Sequence, residues 1–346
     1  MGRYVIRRIL GFIPVLFAVA LFTFVLVRAI PGGPFDYAGE KALPPQVVAN
    51  IEAKYHLDWP IFWQFVSYLF GDDVVEFLSA GKYQQPADGG SRGLIRGDFG
   101  PSLRYRSQSV TDIIKSTFPI SFQLGFLALI IGLSIGVPAG IIAALKQNSW
   151  LDYTATFIAV LGVSVPSMVL GPVLIWLFAV KLGWLPVATW GAKPPFVLGL
   201  FPRNLDWKFW SHAIMPALAM GTGMSASIAR LTRASLLQVV REDYIRTARA
   251  KGLPERTVIA IHALKNSMIP VITIMGPLFA GVVTGSLIIE QIFGINGMGR
   301  HFVQSVGNRD YPLLMGVTLI YTFLLLIANL MVDLTYAWLD PRIRYD

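Results

Sequence analysis

Cysteine is missing from this 346-residue chain. No disulfide framework and no thiolate metal site is therefore available, and cysteine usage says nothing about the redox compartment. Charge is scarce as well: 14% of the residues are Asp, Glu, Lys or Arg, against about a quarter in an ordinary soluble domain. Four histidines, His56, His212, His262 and His301, are dispersed and form no metal-spaced set. A phosphate loop of the form G-x-x-x-x-G-K-[ST] is lacking too, because the lone Gly-Lys pair, Gly81-Lys82, is followed by Tyr83. The zinc-protease pattern H-E-x-x-H does not occur. These gaps point away from an enzyme. Catalytic, metal-binding and cofactor-binding residues are expected to be none, and any nucleotide chemistry must come from other chains.

What the chain has is apolar length. Hydrophobic residues make up 54% of it, and the mean hydropathy is +0.58. Residues 9–27 form an uninterrupted apolar run behind Arg3, Arg7 and Arg8. That run is longer than the core of a secretory signal and no A-x-A site follows it, so it reads as a retained first spanning helix. Five more apolar stretches follow at about 120–145, 153–180, 214–228, 268–289 and 313–338. Pro166, Gly171 and Pro172 should kink the third span. The fourth, "IMPALAMGTGMSASI", is short and rich in small residues, the composition of a helix packed closely inside a bundle. The expectation is an all-α membrane protein with six transmembrane helices.

The charge of +9 fits the excess of Lys and Arg that membrane proteins keep on the cytoplasmic side better than it fits nucleic acid. Arg230, Arg233, Arg241, Arg246, Arg249, Lys251, Arg256 and Lys265 outnumber Glu242, Asp243 and Glu255 between the fourth and fifth spans. With six spans that loop and both termini fall inside. The segments are then a first helix over 1–28, an extracytoplasmic region over 29–114, five helices over 115–338 and a cytoplasmic tail over 339–346. In the outer region, "LPPQVVANIEAKYHL" is helical in pattern, with Val47, Ile51 and Tyr55 recurring. Residues 79–97 are a Gly-rich polar interruption, expected to be loose.

The charged loop 241–265 has its own periodicity. Leu237, Val240, Tyr244 and Ala248 fall on one helical stripe, and Glu242, Arg246 and Arg249 on another, with Glu242 four residues ahead of Arg246. Gly252 marks a helix stop and Pro254 the first turn of a new helix, in which Val258, Ile261 and Leu264 share a face. Such an element suits either lipid headgroups or a docking protein, and pattern alone leaves both open. Among ionisable groups in the spans, Asp333 reads either as a proton relay or as a structural partner of an Arg, and the second is favoured because no series of relay groups accompanies it. Glu290 is expected near the outer boundary, shaping a gate. Thr222, Ser225 and Ser227 are candidates to line a pathway, or else packing residues.

The loop resembles the cytoplasmic signature of permease subunits in binding-protein-dependent ABC importers: Glu-Ala-Ala, three residues, Gly, nine residues, then Ile-x-Leu-Pro. With Gly252 on the glycine, Ala248 falls on the second alanine and Leu264 on the leucine, while Arg246, Thr247, His262 and Lys265 depart from the pattern. The oligopeptide and dipeptide branch of the family, and within it the first oligopeptide permease subunit, is matched by "RTARAKGL", "HALKNSMIPV", "YVIRRIL", "IPGGPF", "GDFGPSLRYRSQSV", "AALKQN", "NRDYPLLMG" and "DPRIRY". Nearly the whole chain is covered, except around 79–97.

The resemblance implies a type I ABC importer permease fold with a structured extracytoplasmic loop after helix 1, moving oligopeptides across a bacterial or archaeal cytoplasmic membrane. It implies as partners a second homologous permease, two ABC ATPases that hold ATP and Mg, an extracytoplasmic peptide-binding protein and the lipid bilayer, with no nucleic acid. By the same resemblance, Glu242, Asp243, Arg246, Thr247, Ala248, Arg249, Gly252, Glu255 and Arg256 form the coupling loop that docks on the ATPase. A larger residue at Ala248 would then crowd the docking face. Dipeptide, nickel and glutathione importers share the pattern, and a proton-coupled peptide symporter is the alternative from another class. The interruption at 79–97, on the outer face, is a candidate contact for the binding protein.

Overall fold

The computed structural model describes residues 2–30, 52, 56–84, 90–105 and 108–339. The predicted helix around Val47, Ile51 and Tyr55 and the tail over 340–346 lie outside these. Regular structure among the described residues is helical, apart from two isolated bridges, Pro101 with Ser109 and Val197 with Phe201. The helices are α1 Gly2–Ala29, α2 Ile61–Phe70, α3 Asp72–Leu78, α4 Val110–Leu145, α5 Trp150–Ser164, α6 Ser167–Leu174, α7 Trp207–Val240, α8 Asp243–Ala250, α9 Ile269–Val283, α10 Leu287–Ile292, α11 Met298–Gly307 and α12 Tyr311–Leu339. Short helical turns fill the interval between α8 and α9.

Gly2–Ala29, Val110–Leu145, Ile269–Ile292 and Tyr311–Tyr336 are long and apolar enough to cross a membrane, and Trp150–Gly162 with Ser167–Lys181 makes a fifth span if that pair, bent by 96°, counts as one. The bend falls where the sequence predicts it. Val165 is extended (φ −87°, ψ 110°) because it precedes Pro166, and the helix restarts at Ser167. Pro172 then removes one donor inside α6, and a π-helical turn, Ile175–Lys181, follows. α7 is 34 residues long but more polar, since its last turns carry Arg230 and Arg233.

The chain divides into two compact units, residues 1–9, 118–300 and 324–346 in one and residues 10–117 and 301–323 in the other. In the first, the core joins Leu124 and Ala128 of α4 to Phe209, Ala213, Met220, Met224 and Ile228 of α7, with Val271 of α9 and Ile289 of α10 against them. Glycines set the spacing. Gly132, Gly136 and Gly140 recur every fourth residue on α4, and a Cβ on Gly136 would lie 2.6 Å from the Ser225 carbonyl oxygen. One on Gly140 would lie 2.6 Å from that of Ala229. In lipid, where burial of apolar surface does not drive helices together, such close backbone approach supplies the van der Waals contact that does. Residues 132–136 also match the spacing G-x-S-x-G, but they lie in mid-helix rather than at the strand-to-helix turn that a nucleophile elbow requires.

In the second unit, Phe24 and Val27 of α1 pack with Leu103, Tyr311 and Met315, and Ala20 packs with Leu69 of α2 and Leu319 of α12. Two buried aspartates organise its polar segments. Asp310 accepts from the Leu103 amide at 3.1 Å and from the Ser102 hydroxyl. Asp72 accepts from Ser67 and from the Ser91 amide at 2.8 Å, and His56 Nε2 lies 3.0 Å from it. The flanks of the interruption at 79–97 are therefore tied down, because the Asp72 amide also donates to the Ser91 carbonyl at 2.9 Å and Arg96 pairs with Asp73 at 2.7 Å. Its middle, residues 85–89, lies outside the described residues.

Burial alone would raise the Asp72 carboxyl, but the hydrogen bonds from His56, Ser67 and Ser91 outweigh it and hold its pKa below the ordinary value. A depressed carboxyl contributes stability that is complete above its unfolded pKa and is lost as pH falls through the lower native value. The protection factor of the Ser91 amide, its exchange relative to the intrinsic rate at each pH, should thus be flat above pH 5 and fall only in more acidic solution. Asp72→Asn should abolish that acid step. For α4 against α7, Gly136→Val should destabilise the solubilised protein by about 1–3 kcal/mol or more in thermal melts. Gly11→Val, where a new Cβ meets nothing within 4 Å, should stay within about 0.5 kcal/mol of the parent.

Candidate functional site

The loop 241–265 folds as a short helix, a tight turn and a second helical run. α7 ends at Val240, Glu242 takes an extended conformation (φ −68°, ψ 150°), and α8 begins at Asp243. This restart shifts the helical register. Ile245 and Ala248 turn inward and pack with Ala144, Leu236, Val258 and Ala263, whereas Tyr244, expected on the apolar stripe, is exposed and accepts from Asn266 Nδ2 at 2.9 Å.

α8 ends in a Schellman motif: the Gly252 amide donates to the Arg249 carbonyl at 2.9 Å and the Leu253 amide to that of Ala248 at 3.4 Å. Gly252 sits at φ +77°, where a side chain is strained even though a Cβ would meet nothing within 4 Å. Beyond the turn, Pro254 opens Glu255–Thr257, and a π-helical turn over Val258–Ala263 leads into Leu264–Ser267.

The candidate loop residues divide by exposure. Glu242, Asp243, Arg246, Thr247, Arg249, Gly252, Glu255 and Arg256 all face solvent, while Ala248 is buried in the chain's own core. A larger side chain at Ala248 would therefore crowd Leu236 and Val258 rather than an outer docking face. The expected pairing of Glu242 with Arg246 is also replaced, by Arg246 with Asp243 at 3.5 Å. A pair not read from the sequence closes the turn: Arg249 Nε and Nη2 donate to the two Glu255 carboxylate oxygens at 3.1 and 2.7 Å. The contact raises the Arg249 guanidinium above its ordinary pKa and lowers the Glu255 carboxyl below its own. Where α7 meets α8, a shallow concavity of about 600 Å³ is bordered by Leu237, Gln238, Arg241, Glu242, Asp243 and Arg246.

A second feature lies at the bend before α6. A groove of about 460 Å³ runs along Gly162, Pro166 and Ser167, the α7 residues Met220, Gly223, Met224 and Ser227, and Gly281 and Ser286. Among the described residues no charged side chain borders it. Of the three hydroxyl residues singled out in the sequence, only Ser227 lines this groove. Ser225 is turned into its own helix, where it donates to the Thr222 carbonyl at 2.7 Å, and Thr222 bonds the Ala219 carbonyl at 3.4 Å.

Three acids within the helices, Asp333, Glu290 and Asp152, are each held by partners. Arg8 reaches Asp333 at 2.7 Å, and the Tyr4 hydroxyl donates to the same oxygen at 3.0 Å, which is the structural reading favoured for Asp333. Glu290 is fully buried rather than set on a gate. It accepts from Ser121 Oγ at 2.7 Å and from the Arg300 amide at 2.9 Å, and Ser121 in turn accepts from the Met298 amide at 2.7 Å. Together they cap α11 from a distance. Arg233 clamps Asp152 bidentately at 2.7 Å. Sequence reading missed that pair; its signal was an acid in the first turn of an otherwise apolar helix.

The chain matches two family sequence patterns, described as binding-protein-dependent transport system inner membrane component over residues 136–345 and as the N-terminal membrane component of such systems over residues 1–125. The oligopeptide transport system permease protein OppB of Salmonella typhimurium is 42% identical over 346 residues, covering 100% of both chains.

This chain belongs to that permease family.

The dipeptide transport system permease protein DppB of Bacillus subtilis is 41% identical over 344 residues, 99% of this chain and 98% of that one. The glutathione transport system permease protein GsiC of Escherichia coli O1:K1 is 37% identical over 345 residues, covering 100% of both chains. Among solved structures, the inward-facing MetNI methionine ABC transporter overlays with a TM-score of 0.50 at 16% identity, over 65% of this chain and 94% of that one. That likeness is one of fold. The permease is thus a multi-pass membrane protein of the ABC importer class, and its family consists of transmembrane transport subunits rather than enzymes.

The turn in this permease can be tested directly. Gly252→Val places a β-branched residue in the left-handed region at a cost of about 1–2 kcal/mol, so exchange at the Leu253 amide should accelerate roughly tenfold with the rest of the chain unaffected. Gly252→Asn should show a smaller effect. Equal exchange in the parent and the Val variant would mean that the turn carries no strain.

Proposed function

We propose that this chain is a transmembrane subunit of an ATP-driven importer of oligopeptides, coupled to separate ATPase subunits through the loop 241–265. The observation that carries the reading is the full-length likeness to an oligopeptide permease, 42% identical over 346 residues. The nearly equal likeness to a dipeptide permease supports a second reading, in which the cargo is a dipeptide. A proton-coupled symporter has less support, since Asp333 is engaged by Arg8 and Tyr4.

On this reading α7 is the sixth span, alongside the four long apolar helices and the bent pair. Its 34 residues reach about 50 Å at 1.5 Å per residue, ample for a bilayer. Both termini and the basic loop then lie on the cytoplasmic side of a bacterial or archaeal membrane, as the distribution of Lys and Arg favours. Residues 29–114 are extracytoplasmic, 115–338 carry the transport bundle and 339–346 form the tail. The partners are a second homologous permease, two ATPases that bind ATP and Mg, and an extracytoplasmic binding protein; this chain binds no cofactor itself.

Coupling is supported by the loop's construction. Its polar side chains stand on a small apolar core that includes Leu236 at the end of α7, so a push on α8 is delivered to a transmembrane helix rather than absorbed. Among the pathway candidates, Ser227 with Gly223 and Ser286 is favoured over Thr222 and Ser225, because the groove at the bend runs past the former.

The test is uptake of labelled peptides into proteoliposomes that hold the chain with its co-purifying partners. Uptake should require ATP and binding protein, and Gly252→Asp should abolish it while the complex still assembles. Uptake driven by a proton gradient and indifferent to ATP and to Gly252 would overturn the proposal.

A further inference from the structure

The C-terminal end of α1 carries a half-buried cation, Arg28, with an unusual partner. Arg28 donates Nε and Nη2 to a single neutral acceptor, Gln64 Oε1, at 3.0 and 2.7 Å. Gln64 is itself fixed, since its amide nitrogen donates to the Leu57 and Trp59 carbonyls at 3.2 and 2.7 Å. The guanidinium carbon lies 3.4 Å from the centre of the Phe24 ring. Among the described residues no carboxylate pairs with Arg28. Charges withdrawn from water are normally paired, and a guanidinium offers five N–H donors, of which Gln64 takes two.

Arg28 borders a cavity of about 90 Å³ whose walls are mostly apolar and which no carboxylate lines among the described residues. Tyr68 lines the same cavity, and its hydroxyl oxygen is buried without a hydrogen-bond partner. Burial raises the Tyr68 phenol, so it stays protonated and able to donate. Of the other polar groups at the wall, His56 and the Ser91 amide serve Asp72, and the Tyr311 side chain lies close enough to Arg28 to interact with it electrostatically. A partly unspent cation and an unspent O–H donor thus face one small, apolar-walled space.

We propose that this cavity is a carboxylate-binding site. A carboxylate is acceptor-only and planar, and it matches a guanidinium fork with a second donor alongside. The remaining Arg28 N–H groups and the Tyr68 O–H would hold its two oxygens. The volume equals about three waters at roughly 30 Å³ each, so formate or acetate fits whole, and of a peptide only the terminal carboxylate enters. Such a ligand would neutralise Arg28 and brace α1 against α2. The site is independent of which cargo the chain moves.

The experiment is a thermal-shift titration of the purified full chain with its partners, with sodium acetate against sodium chloride at matched ionic strength. Acetate should stabilise the parent saturably. Tyr68→Phe removes only an oxygen without a partner, so it should fold with an unchanged or higher melting temperature, yet its acetate half-saturation should rise tenfold or more, the effect of losing one hydrogen bond to a charged group. Arg28→Gln should lose the acetate effect altogether. A dipeptide that acts like acetate while its C-terminal amide does not would identify a peptide terminus as the natural source, and acetate acting alone would identify a small free carboxylate. Absence of a saturable acetate effect, or one equal in the parent and Tyr68→Phe, would overturn the proposal.

Discussion

Two helices of this permease approach each other until backbone meets backbone, and much of the first unit follows from that contact. Gly132, Gly136 and Gly140 clear one face of α4, and Gly221, Ser225 and Ala229 meet it from α7. In a bilayer the surrounding lipid is as apolar as the side chains, so burial alone gives helices no reason to associate. Close approach does, through dispersion over many atoms. It also explains why α7, which is less apolar than the long spans around it, sits amid the core: its small residues are its packing surface.

Around that contact the charged side chains fall into two populations. One is a set of acids within the helices that partners hold: Asp152 by Arg233, Asp333 by Arg8 and Tyr4, Glu290 by Ser121 and the first amides of α11. A charge in an apolar surrounding without such partners would be costly. The population in the loop 241–265 is solvent-facing, and only the Arg249–Glu255 clamp across the Gly252 turn has good geometry. The first population holds helices together, and the second presents a polar surface. On the proposed reading, that surface meets an ATPase.

The two candidate functional features share one construction. In the loop, exposed polar groups stand on Ile245 and Ala248, which are packed into a core that includes the end of α7. At the bend before α6, Pro166 breaks a span and leaves a groove bordered by Ser227 of the same α7. One long helix thus carries the apolar support of the loop at one end and a wall of the groove farther along. A rigid rod of this kind is what a coupled transporter would need between the site that receives a push and the site that opens.

Much of this was legible in the sequence. Helical class, the first span, the kink at Pro166, the stop at Gly252 and the pairing of Asp333 with an Arg all follow from local rules of length, proline geometry and the cost of an intramembrane charge. Other features needed the fold. That Ile245 rather than Tyr244 turns inward depends on a one-residue break at Glu242. That Ala248 is core rather than surface depends on Val258 and Ala263 folding back over it. Ser227 but not Ser225 reaches the groove because a kinked neighbour selects one face of α7. The Asp152–Arg233 clamp joins residues 81 apart. Periodicity along a helix tells which residues share a face, because 3.6 residues make a turn whatever surrounds it. What that face meets is decided by other segments, and no local pattern encodes their arrival.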